Sequence, residues 1–477
     1  MAPTSSSPSI QTLEALQHTL ARQKQAWRQN PTPDAATREG RLQRLERMLV
    51  EHRHEWSQAM SDDFGHRSQH ESQLVDVFTS LEAVRHARKH VRRWMRPERR
   101  PTSLLFFPGR NRLIYQPVGV VGVIVPWNYP LFLSFGPLAS IFAAGNRAMV
   151  KMSELTPRTN ALMARLVAQH FSPEELAVVE GEADMGRQFA EQHWDHLIFT
   201  GSTEVGRHVM KAAAQNLVPV TLELGGKSPL YLGRGAHLQM AAERIVRGKT
   251  VNAGQTCVAP DYVLMHRDQF PAWKEAMTAM AQRNYPGFAD SQDYVSIISD
   301  RHFARLVQLR EEARAAGAEV IPLLDAGPDA EKKRWMAPTL VVNPPLEGRL
   351  MQEEIFGPLL PVVFVDSPDD AIQFIQARPH PLALYVFEQD QAVVRQFLDR
   401  TLAGSVAVND CLVQIAQADQ PFGGVGPSGM GHYHGRDGFV NFSKAKPVFI
   451  QPRFQAGAWV RPPFGKTVER LLDFLIR

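Results

Sequence analysis

The chain has 477 residues and a net charge of +4, and 44% of its residues are hydrophobic and 21% charged, as in ordinary soluble globular proteins. This small charge does not indicate a nucleic-acid-binding protein. Two cysteines without CxxC spacing exclude a disulfide framework and a structural zinc site, and they favour a reducing compartment. With no secretory signal at the N-terminus, we expect a cytoplasmic protein of two or more domains.

Residues 10–98 show a helical pattern. In "LQRLERMLVEHRHEWSQAMSDDF", apolar residues recur at spacings of three and four with charges between them. The basic run "RHARKHVRRWMRPERRP" at 85–101 predicts a helix that ends near Pro97. Its charges are interpreted as a solvated helix face, with a patch for a polyanion as the alternative.

Residues 113–146 carry no charged side chain, which at first suggests a membrane span. Four prolines interrupt this stretch, and proline removes backbone donors and restricts φ. A buried strand, a proline-flanked loop and a buried helix explain the pattern better than a spanning helix. We therefore predict no membrane span.

After residue 118, short apolar runs such as "VGVVGVIVP", "DHLIFTGS" and "PVTLELGG" alternate with amphipathic segments. Near-continuous apolar strands separated by helices predict a parallel sheet covered on both faces, the doubly wound α/β architecture. A second alternation follows Gly226 and includes "YVLMH", "TLVVNP" and "LALYVF". We therefore place a domain boundary near residues 224–228.

Cys257 lies in "VNAGQTCVAP", among small and polar residues that allow backbone N–H groups to approach its sulfur. A lone cysteine is commonly a small buried hydrophobe, so the neighbouring motifs must support any role as a nucleophile. Glu223 in "VTLELGGKSP" ends an apolar strand, where burial would raise the pKa of its carboxyl as a general base requires. The alternative is a carboxylate turned toward solvent.

Asn128 in "VPWNYP" stands in a loop fixed by two prolines, so its amide is a candidate donor to an oxyanion. A purely structural turn is the alternative. In "FTGSTEVGRHV", Gly201 and Gly206 lie between a strand and a helix, where backbone N–H groups can bind phosphate. The spacing is not GxGxxG, so this motif alone indicates a dinucleotide only weakly.

Seven motifs in this order carry a resemblance to a known family: "PWNYP", "KMSE", "GSTEVG", "LELGGKSP", "GQTC", "EEIFGP" and "PFGGVGPSGMGHYHG". From about residue 40 to 450 the chain resembles the NAD(P)-dependent aldehyde dehydrogenases. The version of the last motif and the absence of a long N-terminal extension resemble the class 3 branch. Within that branch, "DFGHRSQHES", "RRWMRPERR" and "GQTCVAPDYVL" resemble coniferyl aldehyde dehydrogenases.

The resemblance implies roles for individual residues. Cys257 matches the catalytic nucleophile and Glu223 the general base, while Asn128 matches the oxyanion donor that acts with the backbone N–H of Cys257. Residues matching cofactor-binding positions are Trp127, Lys151, Glu154, Gly201, Ser202, Gly206, Glu354 and Phe356. Met152 replaces the usual proline of the "KMSE" motif, which puts local backbone rigidity in doubt. Tyr129 and Phe132 are expected to line an apolar approach for the substrate.

The resemblance also implies an architecture: a Rossmann-like cofactor domain, an α/β catalytic domain and a small β oligomerisation arm. The corresponding divisions are 1–98 with 119–224, then 225–408 for the catalytic domain, 99–118 with 409–450 for oligomerisation and bridging, and 451–477 as a tail. We expect a homodimer that uses NAD, with NADP also possible, and a small aldehyde substrate, aromatic or medium-chain aliphatic.

Several alternatives remain at this stage. A relative in which coenzyme A resolves the thioester is one, although retention of Glu223 favours hydrolysis, and a non-catalytic protein on the same fold is another. His432 and His434 have no convincing third partner, so we predict no metal site. Cys411 is interpreted as a spectator thiol. The tail predicts an amphipathic helix that packs on the body or a partner, with weak membrane attachment as the minority interpretation.

Overall fold

The computed structural model describes residues 9–453 and 462–476, and three β-sheets organise this part of the chain. The helices are α1 (Leu13–Gln29), α2 (Ala35–Glu51), α3 (Arg53–Phe64), α4 (Gln69–Ser72), α5 (Thr79–Trp94), α6 (Phe132–Ala144), α7 (Pro157–His170), α8 (Ala183–Ala190), α9 (Thr203–Gln215), α10 (Leu238–Thr250), α11 (Phe270–Asn284), α12 (Asp300–Ala315), α13 (Arg349–Gln352), α14 (Pro368–Gln376), α15 (Gln391–Arg400), α16 (Gly435–Asn441) and α17 (Lys466–Leu475). A π-helical segment, Gln73–Phe78, joins α4 to α5.

The strands follow the same chain order. They are β1 (Glu98–Arg100), β2 (Arg110–Pro117), β3 (Val120–Ile124), β4 (Arg147–Lys151), β5 (Leu176–Val179), β6 (His196–Gly201), β7 (Val220–Leu224), β8 (Pro229–Leu232), β9 (Tyr262–Met265), β10 (Glu319–Pro322), β11 (Thr339–Val342), β12 (Leu359–Phe364), β13 (Ala383–Phe387), β14 (Ser405–Val408), β15 (Gly429–Met430) and β16 (Ser443–Ile450).

The first sheet has the order β15-β7-β6-β3-β4-β5, and its strands are parallel except for β15. Both faces are covered, because successive residues of one strand enter different cores. Val120 packs in the cluster formed with α1, α8 and α9, and Val121 packs in the cluster that includes α6 and α7. The doubly wound α/β architecture predicted from continuous apolar runs is therefore confirmed.

The second sheet has the order β10-β11-β12-β9-β8-β13-β14, with only β10 antiparallel to its neighbour. The chain passes from the first sheet to the second between Leu224 and Pro229. Cys257 lies between α10 and β9, in the connection that leads into the middle of the second sheet. The crossing between the two sheets begins at residue 224, and the connection to β9 contains residue 257.

The third sheet is small and antiparallel, with the order β1-β2-β16. Strands β2 and β16 pair over their full length, from Pro117 with Ser443 to Arg110 with Ile450. The strand β15, which precedes β16 in the C-terminal part of the chain, joins the first sheet and pairs Gly429 with Glu223. The segment 409–450 therefore contributes to two sheets.

The charge-free stretch 113–146 forms the predicted buried strand, loop and helix. Every residue of α6 is buried, and it ends at Gly145 in the left-handed region. Among the described residues, no helix combines the length and apolarity needed to span a bilayer. Residues 1–8, 454–461 and 477 lie outside the described residues. The amphipathic helix predicted for the tail is α17.

The buried side chain of Asn146 connects the sheets. Its Oδ1 accepts a hydrogen bond from the backbone N–H of Gly119 at 3.0 Å, and its Nδ2 donates to the carbonyl of Phe442 at 2.7 Å. Gly119 precedes β3, and Phe442 precedes β16. This side chain therefore ties the start of β3 in the first sheet to the start of β16 in the third.

We expect Asn146→Ala to lower the free energy of unfolding by about 2–4 kcal/mol, because it leaves a buried N–H and a buried carbonyl without partners. Denaturant titration followed by intrinsic fluorescence measures this change. Asn216→Ala is the control, since the Asn216 amide is half-buried and donates one bond, to the carbonyl of Glu191 at 2.8 Å. Equal losses in the two variants would contradict the connecting role.

Candidate active site

Cys257 follows a left-handed turn at the end of α10. Asn252 and Ala253 both have φ of 50°, and Gly254 has φ of 73°. A Cβ atom on Gly254 would lie 2.5 Å from the carbonyl oxygen of Gly357, so only glycine fits there. Non-glycine residues in this region of φ are strained and concentrate at functional sites. The turn brings the backbone N–H groups of Cys257 and Val258 toward the sulfur.

Two buried amides hold this turn in place. Asn252 Nδ2 donates to the carbonyl of Gln255 at 3.1 Å, and Gln255 Nε2 donates back to the carbonyl of Asn252 at 3.0 Å. Gln255 also donates to the carbonyl of Ser296 at 3.2 Å and accepts from the N–H of Ile298 at 3.0 Å. The conformation of the thiol loop is therefore fixed by hydrogen bonds before any ligand binds.

The thiol of Cys257 is half-buried. Burial, together with the nearby charges of Glu354 and Glu223, raises its pKa to about 12, and the backbone N–H groups of Cys257 and Val258 oppose this shift. A thiol with such a pKa is protonated at neutral pH, so it needs a base in order to act as a nucleophile.

Glu223 near the end of β7 is buried, with 3% of its surface exposed. Neither carboxylate oxygen has a protein hydrogen-bond partner. Burial alone raises the pKa of this carboxyl well above its usual value. The alternative of a carboxylate turned toward solvent is wrong. Because its charge acts on the thiol of Cys257, the two groups share one site.

Asn128 is buried, and its Nδ2 donates to the carbonyl of Gln255 at 3.1 Å. The next residue, Tyr129, forms a hydrogen bond through its hydroxyl with Thr256 at 2.6 Å. The "PWNYP" loop therefore lies directly against the loop of Cys257. A thiol, a carboxylate and an amide from three distant parts of the sequence meet at one place.

Trp127, Glu354 and Phe356 lie together beside this place. The rings of Trp127 and Phe356 meet edge to face with centroids 5.4 Å apart, and Phe356 has a left-handed φ of 54°. Glu354 lies over Gly225, where a Cβ atom would be 2.1 Å from its Oε2. Burial and the charge of Asp261 raise the pKa of Glu354 to about 8. Its Oε1 is buried without a protein donor, so it is free to accept from a ligand hydroxyl.

The other predicted cofactor residues lie at the carboxyl ends of β4 and β6. Gly201 ends β6, and Ser202 caps α9 by accepting from the N–H of Val205 at 3.4 Å. A Cβ atom on Gly206 would be 2.6 Å from the side chain of Leu224, so glycine permits close packing of α9 on the sheet. A helix N-terminus in this position can bind phosphate.

Lys151 ends β4 and is buried, donating from Nζ to the carbonyl of Met152 at 2.6 Å. Burial lowers the pKa of this amine, and the charge of Glu154 opposes the shift. Glu154 itself is exposed. Lys151 ends the strand next to β3, and Glu154 follows that strand. The carboxyl end of β3 leads to Asn128.

The two predicted substrate-binding residues have different surroundings. Phe132 lines a narrow cleft between α5 and α6, together with Thr79, Gly136, Ile415, Tyr433 and His434. Tyr129 instead points its hydroxyl to Thr256, behind the thiol loop. His434 is buried and stacks on Phe422 with centroids 5.2 Å apart, whereas His432 is exposed.

Sequence reasoning missed Tyr433. Its phenol is fully buried without a protein partner, and besides burial the charges of Glu223 and Cys257 raise its pKa. The glycines of "GMGHYHG" were the available signal: they allow β15 to lie against β7, which carries Glu223.

It also missed the ion pair of Lys227 and Asp261. Asp261 accepts from the N–H of Ile355 at 2.9 Å, and Lys227 donates to the carbonyl of Glu353 at 2.8 Å. The pair fixes the segment that carries Glu354. Lys227 lies within the predicted "LELGGKSP" motif, and Asp261 lies just after "GQTC".

Comparison with known proteins identifies the family of this chain. The sequence pattern of the aldehyde dehydrogenase family matches residues 4–448. The chain belongs to the aldehyde dehydrogenase family. It is 48% identical to a "Probable coniferyl aldehyde dehydrogenase" of Pseudomonas aeruginosa, over 97% of this chain and 96% of that protein. It is 45% identical to a "Coniferyl aldehyde dehydrogenase" of Pseudomonas sp., again over 97% and 96%.

Among solved structures, the substrate-bound state of Staphylococcus aureus AldH superimposes with a TM-score of 0.91. The two chains are 34% identical, with 96% of this chain and 99% of that chain covered. The predicted family and its fold are confirmed. This aldehyde dehydrogenase is therefore an NAD(P)-dependent enzyme that oxidises aldehydes.

In the cofactor-free enzyme, we expect iodoacetamide to alkylate Cys257 slowly at pH 7, with a rate that rises about tenfold per pH unit up to pH 10. The reason is the pKa of about 12, because only the thiolate reacts. Mass spectrometry of the labelled peptide measures the rate, and Cys257→Ala controls for labelling of the buried Cys411. A rate that levels off below pH 9 would contradict the raised pKa.

Proposed function

We propose that this enzyme oxidises an aromatic aldehyde, coniferyl aldehyde being the leading example, to its carboxylic acid. A thioester on Cys257 is the intermediate, and water activated by Glu223 releases the product. The observation that carries this proposal is the buried carboxylate of Glu223, which lacks a protein partner and acts on the thiol of Cys257. A buried carboxyl with a raised pKa is suited to proton transfer near neutral pH.

The first step is attack of the Cys257 sulfur on the aldehyde carbon. Glu223 is the base placed to take the thiol proton, since a thiol with a pKa of about 12 does not ionise alone. The carbonyl oxygen becomes an oxyanion that accepts from the Asn128 amide and from the backbone N–H of Cys257. One such donor typically lowers the barrier by about 2.7–4 kcal/mol.

The second step removes a hydride from the tetrahedral adduct and leaves a thioester. When bound, NAD⁺ supplies the hydride acceptor for this step. Glu223 passes the thiol proton on to solvent and then takes a proton from the water whose oxygen attacks the thioester. That proton returns to the Cys257 sulfur as it leaves and the acid forms. The same buried carboxyl therefore serves both halves of the reaction, because its raised pKa lets it accept and release a proton near neutral pH.

The residues around the site fit the cofactor. The unpartnered Oε1 of Glu354 suits a ribose hydroxyl, and the edge-to-face pair of Trp127 and Phe356 suits the nicotinamide end. The N-terminus of α9 at Ser202 suits the pyrophosphate. Lys151 at the end of β4 and Glu154 just after it suit the adenosine ribose. Because Glu154 would repel a 2′-phosphate, NAD is favoured over NADP.

The substrate class is supported by the cleft and by the relatives. The cleft beside Phe132 is lined mainly by apolar and small side chains, which suits an aromatic or medium-chain aldehyde. Two relatives at 45–48% identity carry the name of a coniferyl aldehyde dehydrogenase. Aromatic aldehydes are therefore proposed ahead of aliphatic ones.

A homodimer and a cytoplasmic location complete the proposal. The arm sheet β1-β2-β16 exposes apolar side chains at Phe449 and Ile450, and Phe106 packs edge to face on Phe449. Exposed apolar groups on a small sheet are suited to pairing with a second copy. The thiols of Cys257 and Cys411 are both free, which is typical of a reducing compartment.

Cys257→Ala is expected to lower the rate of aldehyde-dependent NADH formation by about 10⁴-fold or more, because the nucleophile is lost. Absorbance at about 340 nm follows NADH, and calorimetry follows binding of NAD⁺, which should survive. Cys411→Ala is the matched control and should retain activity, since that buried thiol packs against Gly248 and does not line the cleft. Turnover by Cys257→Ala at the wild-type rate would contradict the thioester route.

The acid product is measured in the same assay with and without coenzyme A. We expect free acid in both cases. Formation of an acyl-coenzyme A in place of the acid would assign this enzyme to the acylating class instead. No NADH from any aromatic or aliphatic aldehyde would contradict the proposed function as a whole.

Glu223→Gln is expected to give one burst of NADH per site that is slower than in wild type, because the thiol of Cys257 loses its base. The steady rate should then be about 10²–10⁴-fold below wild type, because water is no longer activated. Stopped-flow absorbance separates the burst from the steady phase, and mass spectrometry should find the thioester on Cys257. Loss of the burst together with the steady rate would show that Glu223 is also essential for attack. Wild-type steady turnover would remove Glu223 from the base role.

A further inference from the structure

The motif "DFGHRSQHES" has no role in the chemistry described above, yet it lies against the loop that carries Asn128. Arg67 is 1% exposed and pairs through Nη2 with Asp76 Oδ2 at 2.9 Å. Both side chains of this pair are excluded from water. Its Nη1 donates to the carbonyl oxygen of Asn128 at 3.2 Å. A buried arginine therefore contacts the backbone of the candidate oxyanion donor.

The partner carboxylate holds the other end of the same loop. Asp76 Oδ1 accepts from the backbone N–H of Phe132 at 3.0 Å. The guanidinium of Arg67 also lies over the ring of Tyr129, 5.3 Å from its centroid. The ion pair thus contacts the segment 128–132 at its beginning, at its middle and at its end.

A carboxylate within the motif itself, Glu71, reaches the thiol loop. Glu71 Oε1 accepts from the backbone N–H of Asn252 at 2.9 Å, the first left-handed residue of the turn. Asn252 in turn donates from Nδ2 to the carbonyl of Asn128 at 3.0 Å. The carbonyl of Asn128 therefore receives donors from both Arg67 and Asn252, and Glu71 fixes one of them.

We propose that Arg67, Asp76 and Glu71 are positioning residues that set the register of the Asn128 amide against the Cys257 loop. The proposal rests on the function proposed above, since it assigns these groups to the oxyanion-forming step. They touch no reacting atom in this arrangement. They act by holding the backbone of residues 128–132 and 252 in position. A displacement of about 1 Å in a reacting group can lower the rate about 100-fold.

The test uses Arg67→Lys, which keeps the charge beside Asp76 but replaces the planar fork by a single ammonium that cannot match both acceptors. We expect the rate of the first NADH burst to fall about 10- to 100-fold, while the Kd for NAD⁺ changes less than about twofold. Stopped-flow absorbance gives the burst rate with an aromatic aldehyde. An unchanged burst rate in Arg67→Lys would overturn the proposal.

Arg41→Lys is the matched control. Arg41 is also buried and also joins a carboxylate to a loop carbonyl, donating to Glu175 at 3.0 Å and to the carbonyl of Asn146 at 3.0 Å. It lies away from Cys257, so we expect a wild-type burst rate even where its melting temperature falls as far as that of Arg67→Lys. An equal fall in burst rate in both variants would show that Arg67 has only a general structural role.

Two further arms keep the test decisive if Arg67→Lys does not fold. Glu71→Ala removes the acceptor for the N–H of Asn252 and should slow the burst in the same direction by a smaller factor. In an Asn128→Ala background, neither substitution should slow the burst further, because the positioned amide is gone. A wild-type enzyme that forms no NADH from any aldehyde would overturn the proposed function as well, whereas full additivity with Asn128→Ala would overturn the positioning role alone.

Discussion

The amide of Asn252 joins the two loops on which the active site depends. Its Nδ2 donates to the carbonyl of Asn128 at 3.0 Å and to the carbonyl of Gln255 at 3.1 Å, so one buried group connects the oxyanion loop to the thiol loop. Asn252 can do this because it adopts the left-handed backbone conformation, which asparagine tolerates better than most residues. The cost of that conformation is offset by hydrogen bonds that no solvent competes for.

Burial is the second constraint, and it acts on every titratable group of the site. Glu223 and the thiol of Cys257 are each shifted toward the neutral form, as is Glu354, because the sheet connections around them exclude water. An unpaired buried carboxylate is unfavourable for folding. The presence of such a carboxylate here agrees with the general observation that functional sites often lower the stability of the fold. The same exclusion of water strengthens hydrogen bonds to an oxyanion.

The fold and the identity of the main groups could be predicted because they depend on local sequence. Short apolar runs rich in valine such as "VGVVGVIV" favour strands buried on both faces, and "VTLELGG" places Glu223 at a strand end. The pairing of Gly429 with Glu223 could not be predicted, because it joins residues about 200 positions apart through a two-residue strand. Tyr433 was missed for the same reason, since its proximity to Glu223 and Cys257 follows from that pairing.

The N-terminal helices show the same limit on what the sequence can predict. The pattern of residues 10–98 predicts helices correctly, but amphipathic periodicity reports only which face is buried. It does not distinguish a buried arginine that supports the fold, such as Arg41, from one that contacts a catalytic loop, such as Arg67. The difference lies in the carbonyl that each guanidinium reaches, Asn146 in one case and Asn128 in the other. Arg41 in α2 and Arg67 in the connection between α3 and α4 therefore reach different loops, and only Arg67 contacts the loop to which the oxyanion role is proposed.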